Sequence, residues 1–284
     1  METLRREMRR WITGYELGWL LLFGALAVLL AVLLAPAGAN AAGGGWIVGS
    51  CRYSHTLPDD PIVYPRAPGL SHLHDFFGNR TVNAFSTYSQ LLAGATTCAA
   101  SSGDTAGYWV PQLRQDGKPL AIIPSGSRGI KIYYRNNLVS GIPIEPFPPD
   151  MRLVARERLG REIYWGCSNN STGKLTAPPT SCSTGRISLH VGFPQCWDGV
   201  LTHVNDTAHV VFPTKGRCPA DHAHALPRLI LRLEYLVGIS TGTITLSSGG
   251  PETAHGDFWN AWDQAKLERL VAQCLNLGFD CGQI

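Results

Sequence analysis

Much of the chain between residues 107 and 249 is built from short runs in which apolar side chains alternate with polar ones. The clearest is RLILRLEYL (Arg228–Leu236), whose period of two predicts a half-exposed antiparallel strand. GYWVPQL (Gly107–Leu113), GIKIYYR (Gly129–Arg135), REIYWGC (Arg161–Cys167), RISLHVGFP (Arg186–Pro194), AHVVFP (Ala208–Pro213) and GTITLSSG (Gly242–Gly249) read as further strands, rich in β-branched and aromatic residues and bounded by Gly or Pro. The prolines of NNLVSGIPIEPFPPD (Asn136–Asp150) remove backbone donors and exclude regular structure there. Residues Trp46–Gly69, dense in Pro and Asp, read as a tied-down irregular loop, and Asn83–Ala93 as a short helix. One longer helix closes the chain. In DFWNAWDQAKLERLVAQCL, Phe258, Ala261, Trp262, Ala265, Leu270, Val271 and Cys274 follow a 3.6-residue period, and Asp257 stands where an N-cap belongs. The pattern predicts a mainly β fold, a β-sandwich or irregular barrel, with long loops and a C-terminal α-helix.

The first 41 residues break this pattern. Arg5, Arg6, Arg9 and Arg10 precede an almost unbroken apolar run from Gly18 to Leu34, followed by small residues with Ala39 and Ala41 at a cleavage-type spacing. Residues 1–41 are expected to be a signal peptide, or a signal anchor if uncleaved, and 42–284 a single secreted domain. Export places the domain outside the cell or at its surface, touching the membrane only through that segment.

Export gives the cysteines a meaning. All eight lie beyond residue 41, an even number in an oxidising compartment. Their spacing suggests sequential pairing, Cys51–Cys98, Cys167–Cys182, Cys196–Cys218 and Cys274–Cys281, although spacing alone leaves other pairings open. No C-x-x-C occurs, which argues against a cysteine zinc site or thioredoxin-type redox chemistry. The formal net charge of +3 is no polybasic footprint, so nucleic acid is a poor partner. Sequons occur at Asn79, Asn169, Asn170 and Asn205.

The candidate chemistry is in the histidines. In SHLHDFFGNR (Ser71–Arg80), His72 and His74 are two apart, so an extended backbone points both imidazoles to one side. HDFFGN (His74–Asn79) is echoed by HGDFWN (His255–Asn260). Each offers imidazole and carboxylate, able to share a proton-transfer task or to ligate a metal, with aromatics that suit a sugar face. The bland alternatives are an Asx turn for Asp75, an N-cap for Asp257 and core packing for Phe76, Phe77, Phe258 and Trp259. FPQCWDG (Phe193–Gly199) sets Trp197 and Asp198 beside a cysteine, which also describes an ordinary Asp-Gly turn. His209 and His222 are further ligand candidates; His55, His190, His203 and His224 read as ordinary polar partners. No G-x-S-x-G elbow, H-E-x-x-H, P-loop or G-x-G-x-x-G is present.

DPIVYPRAPGLSHLHDFFGN, GDTAGYWVPQL, IYYR, FPQCWDG, CPADHAHALPRL and HGDFWNAWDQAKLERLVAQC, in that order from about Asp60 to Cys281, resemble the motifs of the secreted domain-of-unknown-function family nineteen-ninety-six. Its members are extracellular proteins of fungi and bacteria, in fungi often joined to a WSC module associated with carbohydrate. The resemblance marks His72, His74, Asp75, Asn79, Trp197, Asp198, His209, His222, His255, Asp257 and Asn260 as motif positions and assigns them no role. VNDTAHVVF departs from the more polar pattern expected around His209, which puts His203 and Asp206 in doubt.

Two functional readings follow, beside a purely structural one in which a wall-associated module uses its polar motifs only to tie loops. In the first, a His/Asp-rich cleft acts on or binds a cell-wall or extracellular polysaccharide, as a hydrolase or lyase. Asp75, Asp257, His74 and His255 are then the catalytic candidates, and Asn79, Trp197, Asp198 and Asn260 contact substrate. In the second, a non-catalytic extracellular protein holds a divalent metal, Zn or Cu, through His72, His74, His209 and His222.

Overall fold

The computed structural model describes residues 44–48, 51–120, 130–156, 158–201 and 207–284. The predicted leader, His203, Asp206 and the Asn205 sequon lie outside the described residues. Among the described residues, no helix is long and apolar enough to cross a membrane.

The chain runs through β1 (Gly45–Val48), β2 (Tyr53–Leu57), β3 (His74–Gly78), α1 (Tyr88–Ala93), β4 (Gly107–Pro111), β5 (Leu113–Gln115), β6 (Lys118–Pro119), β7 (Ile130–Arg135) and β8 (Arg152–Ala155). It continues through β9 (Ile163–Cys167), β10 (Arg186–Gly192), β11 (Cys196–Trp197), β12 (Val210–Val211), β13 (His224–Ala225), β14 (Arg228–Leu236), β15 (Ile244–Leu246), β16 (Gly256–Trp259), α2 (Gln264–Leu270) and β17 (Asp280–Gln283). Two sheets dominate: a six-stranded one in the order β17-β1-β7-β14-β10-β9 and a five-stranded one in the order β2-β3-β4-β16-β8. All pairings in both are antiparallel except β1 with β17.

The sheets pack as a sandwich because their strands keep strict alternation. Leu229, Leu231 and Leu233 of β14 and Ile187, Leu189 and Val191 of β10 face Phe77, Tyr108, Val110 and Phe258 of the smaller sheet in one continuous core. The other face of the smaller sheet is also covered. Phe76, Trp109 and Trp259 pack there with Ile62, Val82, Leu91 and Ala261. The sheets approach closely at Gly256, where an added Cβ would stand 2.9 Å from Val191 Cγ1.

The mainly β class and the C-terminal helix are as the pattern predicts, and the four disulfides pair sequentially: Cys51–Cys98, Cys167–Cys182, Cys196–Cys218 and Cys274–Cys281. They fit an oxidising compartment. Two local readings are corrected. Asp257 is no N-cap: it lies in strand β16, between β4 and β8. The cap of α2 is Asp263, whose carboxylate accepts from the Lys266 N–H. Phe258 fits a helical period equally well, but burial of Phe258 and Trp259 on opposite faces of one sheet decides for the strand. The loop read over Trp46–Gly69 contains β1 and β2. Trp46 stacks on Tyr134 at 4.7 Å, and the polar edge strand YSHTL carries no apolar alternation to reveal it.

A polar chain crosses the core. Tyr108 Oη donates to Asp104 Oδ2 at 2.9 Å and lies 2.6 Å from Tyr134 Oη, which also accepts from Trp262 Nε1 at 2.9 Å. Burial pushes the Asp104 carboxyl up to about 7, with hydrogen bonds from the Ala106 N–H and Tyr108 opposing. The folded value exceeds the unfolded one, so this group's contribution is complete below pH 3.8 and is lost as pH rises through 7. Asp104→Asn should therefore gain on the wild type between pH 4 and pH 8, by roughly 4 kcal/mol at most, in denaturant midpoints taken across that range. A constant difference at all pH values would contradict the assignment.

Candidate functional site

Strand alternation decides which of the echoed residues meet. His74 shares its face of β3 with Phe76, and Asp257 shares its face of β16 with Trp259, so both belong to the outer side of the smaller sheet. Asp75 is adjacent to His74 and therefore faces the other way, into the sandwich. Its Oδ1 accepts from Thr56 Oγ1 at 2.6 Å. In the second motif Gly256 intervenes, so His255 and Asp257, two apart, share a side. The two motifs match in letters but not in orientation.

His72, His74 and His255 converge. The His72 and His74 rings are 4.2 Å apart, and His255 lies 5.0 and 5.6 Å from them. His74 Nδ1 is 3.0 Å from the carbonyl of Asp59, and His255 Nδ1 is 2.8 Å from that of Thr253. A carbonyl only accepts, so in both rings the proton sits on Nδ1 and Nε2 carries a bare lone pair. Those two Nε2 atoms face each other at 3.3 Å. Two acceptors at this distance require a proton or a cation between them. Burial, reinforced by His72 and His255, holds His74 well below the ordinary imidazole value; burial brings His255 down to about 4 and lowers His72 as well. A shared proton is therefore disfavoured at neutral pH. Two nitrogens each about 2.05 Å from a zinc ion at the tetrahedral angle stand roughly 3.3 Å apart. His72 Nε2 is also shielded from solvent, with no hydrogen-bond partner among the described residues.

Carboxylates complete the surroundings. Ligand atoms of His72, His74 and His255 lie within 4.8 Å of one another, and so do those of Asp60, His74 and Asp257. Asp60 Oδ1 accepts from the N–H groups of Ile62 and Val63, at 3.0 and 2.9 Å. Asp257 is fully buried, and neither of its oxygens has a hydrogen-bond partner among the described residues. Burial, with the charge of Asp60 adding and Arg156 opposing, raises its carboxyl well above the usual range. His72, His255, Asp60 and Asp257 border a cleft of about 320 Å³ that also meets Tyr64, Ser71, Arg156 and Glu252.

The family model described as Domain of unknown function (DUF1996) matches residues 60–262 of this chain. The chain belongs to that family. No curated protein and no solved structure matches it. Within this DUF1996 domain, the matched span contains all three histidines and both carboxylates.

The remaining candidates are placed elsewhere. Asn79 is fully buried and ties loops: its Nδ2 donates to the carbonyls of Leu91 and Thr105, and its Oδ1 accepts from Thr81. Asn260 does the same with the carbonyls of Phe147 and Pro148. Trp197 Nε1 donates to the Val200 carbonyl, and Asp198 Oδ1 accepts from the Val200 N–H, a turn of the Asx kind. His209 Nε2 is 3.2 Å from the Arg152 carbonyl, and His222 Nε2 is 2.7 Å from that of Ala208. Neither shares a ligand group with the three histidines among the described residues. The sequence reading passed over Asp59, Asp60 and Thr253. The one available signal was the Asp59-Asp60-Pro61 run, where a pair of acidic residues opens a turn.

Proposed function

We propose that this DUF1996 domain is an exported metal-binding protein whose centre, His72, His74 and His255, takes a divalent ion of the zinc or copper class. The observation that carries the reading is the pair of opposed, unprotonated Nε2 atoms, each fixed in its tautomer by a backbone carbonyl behind the ring. Metal-binding histidines almost always donate their other ring N–H to a carboxylate, a backbone carbonyl or a water. The four disulfides support export. Elemental analysis of protein purified without added chelator is the test. Near one equivalent of zinc or copper is expected, and His74→Ala should lose it. Protein that stays metal-free after dialysis against micromolar zinc and copper, with its fold intact, would reject the centre.

A second reading is supported by Asp257. Its carboxyl, unpartnered among the described residues, borders the same cleft as His72 and His255, and the raised proton affinity that burial gives it suits it, once ionised, to accept a proton from a water or hydroxyl bound there. In this reading the domain cleaves a wall or extracellular polysaccharide, with Asp257 as the base and the histidine centre binding the reacting group. Asp257→Asn should then lower turnover on a responsive polymer by about 100-fold or more while metal content stays near wild type. Unchanged turnover would remove Asp257 from that role.

A further inference from the structure

A second cleft, of about 340 Å³, lies on the outer face of the six-stranded sheet. Register places Tyr164, His190, Arg232 and Lys131 side by side across β9, β10, β14 and β7. Their strand neighbours Trp165, Leu189, Leu231 and Ile132 face the core, so this row faces away from it, on the side of the sandwich opposite the histidine centre. The outer face of a β-sandwich ordinarily mixes charges of both signs. Here Arg135, Lys174 and Arg232 line the cleft and, among the described residues, no acidic side chain does.

The cationic groups are held in place. The Lys174 ammonium sits 4.7 Å from the centre of the Tyr164 ring and donates to the Arg161 carbonyl at 2.9 Å, which leaves two of its protons for a ligand. His190 stacks on Tyr164 at 4.3 Å, bracing the phenol in the cleft wall. Arg232 donates to the Ser168 carbonyl and pairs with Glu234 at 3.2 Å. Its Nε is shielded from solvent and has no acceptor among the described residues. Burial, with the positive field of Arg232 and Lys174 adding, holds His190 down to about 4, so this imidazole is neutral beside the two cations.

We propose that this cleft binds an acidic sugar, a hexuronate unit of an oligo- or polysaccharide. The volume falls in the range of small-molecule sites and far exceeds what a lone inorganic anion fills. Guanidinium groups match a carboxylate in planar geometry, and the half-buried Tyr133 in the lining offers an aromatic surface suited to the C–H face of a pyranose. A nucleic acid fits less well, because the whole chain carries a formal charge of only +3.

The test is calorimetric titration of the intact exported domain with trigalacturonate, beside its methyl-esterified form, inorganic phosphate and an oligonucleotide. Saturable binding of trigalacturonate, weakened about tenfold or more by either Arg135→Gln or Lys174→Gln and by esterification, is expected, since each removes one charge-assisted contact. His74→Ala should leave it unchanged, which separates this site from the histidine centre. Both cation variants change exposed or half-exposed side chains, and unaltered melting temperatures will show that they fold. Absent binding, binding indifferent to both variants, or equal binding of phosphate or oligonucleotide would each overturn the proposal.

Discussion

Zinc added to the metal-free domain should raise its melting temperature by about 10 °C, and His74→Ala should abolish the rise. A ligand that binds only the folded state stabilises by RT ln(1 + [L]/Kd), about 4 kcal/mol at a thousandfold excess over Kd. In a domain of this size each kcal/mol moves the midpoint by roughly 2–4 °C. The unfolded chain has no comparable site, because His74 and His255 are 181 residues apart in sequence. His74 is the decisive position, since it belongs both to the histidine group and to the group with Asp60 and Asp257. His209→Ala and His222→Ala serve as controls and should keep the full shift, for neither shares a ligand group with His72, His74 and His255 among the described residues. Scanning fluorimetry with zinc and then chelator measures the effect. A rise of equal size in His74→Ala would move the ion to another site.

The second large effect concerns Cys51–Cys98. This bond spans 47 residues of sequence, the longest of the four loops, whereas Cys274–Cys281 spans seven. On the chain-entropy account, replacing both cysteines of the first pair by serine costs about 4 kcal/mol, and replacing the second pair about 2 kcal/mol. Denaturant midpoints of the two double variants should follow that order. The longer loop also carries β2, the turn of Asp59 and Asp60, and the strand bearing His74, so its loss should weaken zinc binding as well. A midpoint for Cys51→Ser/Cys98→Ser above that of Cys274→Ser/Cys281→Ser would contradict the loop-length argument.

What could be read in the sequence depended on whether the signal was local. The long strand at Arg228–Leu236 announces itself through alternation, and His72 and His74 declare a shared side through their spacing alone. The convergence of His255 upon them does not, because a contact across 181 residues is set by the strand order β3-β4-β16 rather than by any neighbouring residue. Asp75 and Asp257 looked equivalent because each follows a histidine within two positions. One inserted glycine reverses the geometry: Asp75 turns toward the interior of the sandwich, and Asp257 stays beside its histidine. The helix start was misread because Phe258 fits the helical period as well as the strand, and only the burial of Phe258 and Trp259 on opposite faces of the smaller sheet decides between them. Asp60 was passed over because its role rests on a turn whose backbone N–H groups hold one oxygen in place.

The tautomers of His74 and His255 are set by main-chain carbonyls rather than by side chains. Backbone oxygens are present whatever residue occupies positions 59 and 253. The orientation of the two rings is thereby insensitive to the side-chain identity of their partners, so long as the loop paths persist. Sequence drift can then erode the centre only at the histidines themselves or through the loops that carry those carbonyls. Among relatives, substitutions at 253 should be tolerated far more readily than insertions on either side of it.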